Sequence, residues 1–388
     1  MAERKRHLKI IVDENIPFGR EAFGQLGDVV ALHGRKIDAR AVRDADLLIV
    51  RSITRVNRDL LDGSRVRFVG TCTIGTDHVD EGWLRERGIA FASAPGCNAN
   101  SVAEYVVAAL LVLARRGGHR LEGKTIGVVG VGNVGRKVVA KCRALGMRVL
   151  QNDPPLARSS PDGRRFLPLD ALMGADVITL HVPLTKEGPD RTWHMADATF
   201  LDRMRPGSVL LNTCRGAVLD NGAPDERHSF VLDVWEGEPN IDVALLDRVA
   251  LGTPHIAGYS YDGKVVGTSM VYRAACAAVG VKADWDPSAL VPRSPHARLT
   301  IDASGRDDED VLREAVLKVY DIEADDRGLR MMAGLPAAER GAGFDRLRKE
   351  YPQRREFQNS TIELNGGSSG LRAKLAGIGF GLKGEHGC

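Results

Sequence analysis

Thr125-Ile126-Gly127-Val128-Val129-Gly130-Val131-Gly132-Asn133-Val134-Gly135 is an apolar run that passes directly into G-x-G-x-x-G, and a helix-like stretch, Arg136 to Leu145, follows it. The order strand, glycine turn, helix start is what gives the motif weight. The glycines allow a tight turn and close backbone approach to a pyrophosphate, while the helix N-terminus offers oriented N–H groups and a favourable dipole. Gly130, Gly132, Asn133, Val134 and Gly135 are therefore candidate cofactor contacts. Asp153 ends the next strand-like run, 18 residues after Gly135. A carboxylate there accepts from both ribose hydroxyls and repels a 2′-phosphate, which favours NAD over NADP. The bland alternative, a glycine-rich turn beside a surface aspartate, requires both features to fall in register by accident.

Outward from this segment the alternation continues. Strand-like runs follow at Arg148 to Leu150, Val177 to His181, Val209 to Asn212, Phe230 to Val234 and Val249 to Leu251, and others precede it at Lys9 to Val12, Asp46 to Val50, Val66 to Thr71 and Ile89 to Ala92. Short apolar runs separated by polar, helix-like stretches are the pattern of parallel α/β sheets. Ser101-Val102-Ala103-Glu104 spells a capping box ahead of the apolar run Tyr105 to Ala114 and predicts a long helix leaving the first domain. A helical stretch, Gly267 to Val279, leads into Asp284 to Pro295 with its three prolines. Beyond it lie a strand-like Arg298 to Ile301, helical spacing from Val311 to Tyr320, and a possible last helix at Leu371 to Ile378. The expectation is an α/β protein with two doubly wound, Rossmann-like parallel-sheet domains and a small C-terminal α+β domain. The boundaries are 8–100 for a substrate-binding domain completed by a helix near 267–283, 101–266 for the nucleotide domain and 290–388 for the last.

Composition narrows the class. With 388 residues, 43% hydrophobic and 27% charged, the chain reads as a globular protein of two or three domains. A net charge of +3 permits an anionic substrate but is too small a field for a nucleic-acid binder, and no nucleic-acid-binding signature is present. The longest apolar run has ten residues, about half of what a membrane span needs. No secretory apolar segment follows the basic start Met1 to His7, so the cytoplasm is the expected compartment. Cys72, Cys97, Cys142, Cys214, Cys276 and Cys388 are scattered without C-x-x-C pairs or clustered histidines, which argues against structural zinc and a disulfide framework.

Three further residues sit at the ends of successive strand-like runs: Arg215 in Leu211-Asn212-Thr213-Cys214-Arg215-Gly216, Glu238 in Asp233 to Pro239, and His255 in Thr253-Pro254-His255-Ile256-Ala257-Gly258. In a doubly wound sheet these ends face the ligand crevice. Oxidising a 2-hydroxy acid needs a base for the hydroxyl proton, and histidine beside a carboxylate fits. Arginine supplies a fork for the substrate carboxylate. Singly, each reads as a surface ion pair, a loop acid or a half-buried histidine; the combination after a dinucleotide fingerprint reverses that.

These motifs resemble the D-isomer-specific 2-hydroxyacid dehydrogenases. Val12 to Pro17, Val50-Arg51-Ser52, Gly75 to Asp80, Ala94 to Ala99 and Asp233 to Pro239 extend the resemblance from about Leu8 to Phe357, toward the branch of that family that oxidises 4-phospho-D-erythronate on the route to pyridoxal phosphate, vitamin B6. The resemblance implies a homodimer held by its third domain. It implies active-site roles for Arg215 and Glu238, and proton transfer by His255. It also implies substrate contacts at Ser52, Thr73 and Tyr259, and cofactor contacts at Asp153, Val182, Thr213, Cys214, Arg215, Asp233 and Gly258. At Val182 the family often has threonine, so a contact there must come from backbone or packing. For the phosphate, Arg51 and the cations of Phe344 to Phe357 (Arg346, Arg348, Lys349, Arg354, Arg355) are candidates, the latter reached across a dimer. A 3-phosphoglycerate or hydroxypyruvate dehydrogenase shares nearly every motif, and an NAD-sensing binding protein could share the fold without needing the proton relay. Where that branch carries a full helix, Asn221 to Ser229 has nine residues including Gly222 and Pro224, which predicts a loop or at most about two helical turns and a poorly covered sheet edge.

Overall fold

The alternating runs form parallel sheets in a computed structural model that describes residues 8–159 and 166–383; Cys388 lies outside the described residues. The strands, in chain order, are β1 (Leu8–Asp13), β2 (Gly27–Leu32), β3 (Leu47–Val50), β4 (Phe68–Thr71), β5 (Ala90–Ala92), β6 (Thr125–Val129), β7 (Arg148–Asn152), β8 (Val177–Leu180), β9 (Val209–Asn212), β10 (Ser229–Leu232), β11 (Leu251–Gly252), β12 (Arg298–Asp302), β13 (Thr361–Asn365) and β14 (Gly381–Leu382). The longer helices are α1 (Ala99–Arg116), α2 (Asn133–Ala144), α3 (Tyr261–Val279), α4 (Asp308–Val319), α5 (Ile322–Ala333), α6 (Ala337–Lys349) and α7 (Ser369–Ile378).

The chain divides into two compact units, Met1–Asn98 with Ser260–Pro292, and Ala99–Tyr259 with Arg293–Cys388. The first holds a parallel sheet in the order β2-β1-β3-β4-β5. Its edge strand β2 escapes the sequence pattern because it is half-exposed and carries Asp28. Helix α3 packs on β4 so closely that a Cβ at Gly70 would stand 2.3 Å from Val271. That helix begins at Tyr261, six residues before the expected Gly267, capped by Ser260, which accepts from the Gly263 N–H. Residues 261–266 therefore belong with the first unit and not with the nucleotide segment.

The second unit contains a parallel sheet in the order β11-β10-β9-β8-β6-β7 and a smaller parallel sheet, β12-β13-β14. Helix α1 carries the apolar run, buried in a core shared with Val311, Leu312, Phe357 and Leu375 of the C-terminal segment. The expected capping box is absent. Ser101 and Glu104 lie fully buried inside α1, where Ser101 Oγ donates to Glu356 and Glu104 accepts from Asn100 and from the Phe357 N–H. A capping pattern was instead used to tie down a strand of chain far away in sequence.

Between β9 and β10 the only helical element is the 3-10 turn Gly216–Val218, as the short segment 221–229 implied. The expected bare edge, however, is covered. Leu329, Met332, Ala333 and Phe344 of α5 and α6 join Phe230, Leu232, Leu245 and Leu246 in one core. Asp326 accepts from the Gly252 N–H of β11 at 2.8 Å, and Arg330 donates to the carbonyls of Leu246 and Val249. The C-terminal helices thus satisfy edge groups that water or a crossover helix would otherwise have to meet.

Candidate active site

Gly130 turns with φ +85°, and a Cβ there would lie 2.5 Å from the His181 carbonyl oxygen. At Gly135 a Cβ would sit 2.0 Å from the Gly130 oxygen, while at Gly132 the space is open. Helix α2 starts at Asn133 with no side chain capping it. An uncapped helix start behind an open glycine turn fits a pyrophosphate. Asp153 is buried at the end of β7, its carboxylate accepting from the Val131 N–H at 2.8 Å and the Leu156 N–H at 2.9 Å. It thus braces the glycine turn directly. Val182 packs toward the same turn, its Cγ1 standing 3.0 Å from the position of a Gly130 Cβ.

The register Asn212↔Leu232↔Gly252 brings the ends of β9, β10 and β11 to one edge, so that Thr213-Cys214-Arg215, Asp233 to Glu238 and Thr253 to Tyr259 emerge together. Gly216 enforces the proximity of the first two loops, since a Cβ there would overlap the Trp235 carbonyl carbon at 2.0 Å. Arg215 Nη1 donates to the Cys214 carbonyl, and Asn212 holds both Cys214 and Arg215 by hydrogen bonds. Thr213 Oγ1 lies 3.2 Å from His181 Nδ1. Burial pushes His181 down to about 3, so it is a neutral group beside the nucleotide turn.

His255 Nδ1 stands 2.7 Å from Glu238 Oε2, and the other oxygen of Glu238 accepts from the Trp235 N–H at 2.8 Å. Burial alone would raise the Glu238 carboxyl, but the hydrogen bond and charge of His255, the Trp235 N–H and the charge of Arg348 together bring it below the usual range. An ionised acceptor fixes the proton of His255 on Nδ1 and leaves Nε2 for a substrate. His255 itself has φ +56°, a left-handed backbone costing about 1–3 kcal/mol for a non-glycine residue. Asp233 maintains it. The Asp233 carbonyl accepts from the His255 N–H at 2.7 Å, and its buried carboxylate accepts from Thr253 Oγ1, the Ile256 N–H and the Ala257 N–H. Burial raises that carboxyl. Its oxygens are engaged in shaping the histidine loop, a positioning role that strand-end reading did not suggest.

In the first unit, the register Val50↔Thr71 places Ser52 and Thr73 just beyond one edge of that unit's own sheet. Ser52 is exposed, and Thr73 Oγ1 donates to the Gly75 carbonyl. Tyr259 belongs to the second unit with Gly258, four residues beyond His255. His181, Asn212 and Arg348 were missed or left undistinguished by the sequence. His181 could have been found by the same strand-end rule that found Arg215.

A family model described as D-isomer specific 2-hydroxyacid dehydrogenase, NAD binding domain, matches residues 111–257. A second, described as a domain of unknown function, matches residues 290–379. The erythronate-4-phosphate dehydrogenase of Cronobacter sakazakii is 47% identical over 380 residues, covering 96% of this chain and 98% of that protein. The chain belongs to the D-isomer-specific 2-hydroxyacid dehydrogenases. As a member of that family it is an NAD-dependent oxidoreductase. The erythronate-4-phosphate dehydrogenase of Chromohalobacter salexigens is 49% identical, covering 97% of this chain and 99% of that one. Among solved structures, D-lactate dehydrogenase from Aquifex aeolicus complexed with NAD and lactic acid aligns with a TM-score of 0.57 and 26% identity over 70% of this chain and 95% of that one. This dehydrogenase has, among its described residues, no helix long and apolar enough to cross a membrane.

Proposed function

We propose that the chain oxidises 4-phospho-D-erythronate to 3-hydroxy-2-oxo-4-phosphooxybutanoate with NAD, a step toward pyridoxal 5′-phosphate. The observation that carries the chemistry is the 2.7 Å His255–Glu238 pair at the edge where Arg215 also emerges. The substrate is taken from the two relatives of near-complete coverage, both named for it.

In this reading Arg215 holds the substrate carboxylate through its fork, which fixes the C2 hydroxyl near His255. Nε2 of His255 accepts the hydroxyl proton, and Glu238 stabilises the resulting imidazolium through Nδ1–H. NAD, when bound, would supply the hydride acceptor for C2. Gly130, Gly132, Asn133, Val134 and Gly135 would cradle its pyrophosphate, Asp153 would read the ribose, and Val182, Thr213, Cys214 and Gly258 would line the remainder. By the family resemblance Ser52, Thr73 and Tyr259 are carried over as substrate contacts. The protein acts as a homodimer in the cytoplasm, with residues 290–388 forming the dimerisation domain; light scattering reporting a monomer at micromolar concentration would exclude the dimer.

The deciding assay follows NADH formation with 4-phospho-D-erythronate and 3-phospho-D-glycerate side by side. Preference for phosphoerythronate supports the reading. Preference for phosphoglycerate moves the enzyme to another branch, and no turnover of either, with NAD still bound, makes it a sensor.

A further inference from the structure

Five cations lie between Phe344 and Phe357, and the fold separates their roles. Arg346 and Lys349 point to solvent. Arg354 is buried, its guanidinium 3.8 Å over the ring of Tyr320 and its Nη2 donating to the Ser101 carbonyl at 2.6 Å. Arg355 is buried and donates to Asn359. Arg348 differs from all four.

It occupies the last turn of α6, one turn beyond Phe344, which is fully buried and anchors that helix end. Its guanidinium carbon lies 6.0 Å from the Phe344 ring centre and 5.6 Å from that of Tyr259. Tyr259 is on the loop that carries His255. Tyr351 meets the same tyrosine by an edge contact at 5.8 Å, and is itself held by a 2.8 Å bond to Asp325. Arg348 Nε is buried and finds no hydrogen-bond partner among the described residues. A buried N–H left without an acceptor is unfavourable, and one kept in a fold calls for an explanation such as a group bound nearby. The cation sits close enough to Glu238 to add to the forces lowering its carboxyl.

We propose that Arg348 binds the phosphate of the substrate, so that the C-terminal segment of the same chain reads that group beside Tyr259. This rests on the reading of the substrate as a phosphorylated 2-hydroxy acid. The chemistry matches its two ends. Arg215 takes the carboxylate, His255 stands over C2, and a second guanidinium meets the dianion at C4. A guanidinium already held against two aromatic rings loses little freedom on binding and offers a planar pair of donors to phosphate oxygens. Residues 290–379 match a domain of unassigned function, and specificity for phosphate gives that segment a role within its own chain's site.

The test compares kcat/KM of the wild type, Arg348→Gln and Arg348→Lys on 4-phospho-D-erythronate and on D-erythronate. Arg348→Gln should lose about 100-fold on the phosphorylated substrate and a clearly smaller factor on D-erythronate, where only its charge near Glu238 is lost. Arg348→Lys, which keeps the charge but not the fork, should recover part of the loss. Phosphite dianion should accelerate oxidation of D-erythronate by the wild type and not by Arg348→Gln, a comparison in which the wild-type half needs no variant to fold. Equal losses on both substrates, or no loss on the phosphorylated one, or absence of phosphite activation in the wild type, overturn the assignment. A wild type that prefers 3-phosphoglycerate over phosphoerythronate overturns the substrate reading alone, because the ratio of phosphoglycerate to glycerate then tests Arg348 in the same way.

Discussion

Glu238 and Glu104 are two glutamates of one unit, both withdrawn from water, and their surroundings drive them in opposite directions. Glu238 retains 21% side-chain exposure, faces His255 and is held ionised. Glu104 is fully buried in α1. Burial and the charge of Glu356 push it up to about 8, and Lys141 and Arg354 oppose this without prevailing. Lys141 Nζ stands 3.9 Å from Glu104 Oε1, beyond a hydrogen bond, and donates instead to the Ile378 carbonyl. The difference separates a carboxylate that tunes a base from one that fastens the C-terminal segment to α1. Substitutions in the two places should accordingly break different properties.

The largest effect belongs to the catalytic side. His255→Ala should lower kcat by about 10²- to 10⁴-fold while NAD binding, followed by fluorescence titration, stays near wild type. Near-normal turnover in that variant removes His255 from the mechanism. Arg354→Met is the counterpart at the other site. It removes a guanidinium that contacts Ser101, Ala257 and Tyr320 at once, leaving Glu104 less compensated. Breaking a buried charge network of this kind costs about 3–5 kcal/mol, so a melting temperature lower by about 10 °C is expected. A melting temperature within a degree or two of wild type would mean that the cluster does not fasten the segment.

The same contrast explains what the sequence disclosed. Gly130 to Gly135 could be read because strand, turn and helix start are contiguous. Arg215, Glu238 and His255 could be read because parallel register carries neighbouring strand ends to one edge whatever the loops do. The shortness of residues 221–229 also spoke for itself, since too few residues are present for a long helix. Ser101 and Glu104 misled because their partners Glu356 and the Phe357 N–H lie 255 and 253 residues away, and a capping box is a strictly local pattern. Arg348 meets Tyr259 only after α6 has docked, so nothing near either residue marks the pair. The edge strand β2 lacked a continuous apolar run, and the covering of β11 by α5 depends on contacts such as Asp326 to Gly252 that no local window contains.

Asp153 sharpens the comparison with a third carboxylate, buried like Glu104 yet placed for function like Glu238. Asp153→Ala should weaken NAD binding and narrow the preference for NAD over NADP, measured as the ratio of kcat/KM values. Because the Val131 and Leu156 N–H groups lose their acceptor, a stability loss of about 1–3 kcal/mol should accompany it. An unchanged cofactor ratio would place ribose recognition elsewhere.

The last effect is a slope of stability with pH, and its sign distinguishes the two glutamates. A carboxyl raised to about 8 from a usual 4.5 binds a proton in the folded state that the unfolded chain has released. Stability therefore falls as pH rises between those values, by less than about 1.4 kcal/mol per pH unit for one group. Glu104→Gln abolishes this proton uptake, so the variant should gain on the wild type steadily from pH 5 to pH 8 and hold a constant difference above that. Glu238, lowered in the fold, contributes stability that is fully present above its unfolded value and is lost as pH falls through its folded one. Glu238→Gln should consequently differ from the wild type by a constant amount from pH 6 to pH 8, and its deficit should shrink only below about pH 4.5. Urea unfolding of both variants at intervals across pH 4–8 measures the two profiles. Parallel profiles for the Glu104 variant and the wild type would show that Glu104 stays ionised in the fold, stabilised by Lys141 and Arg354 after all.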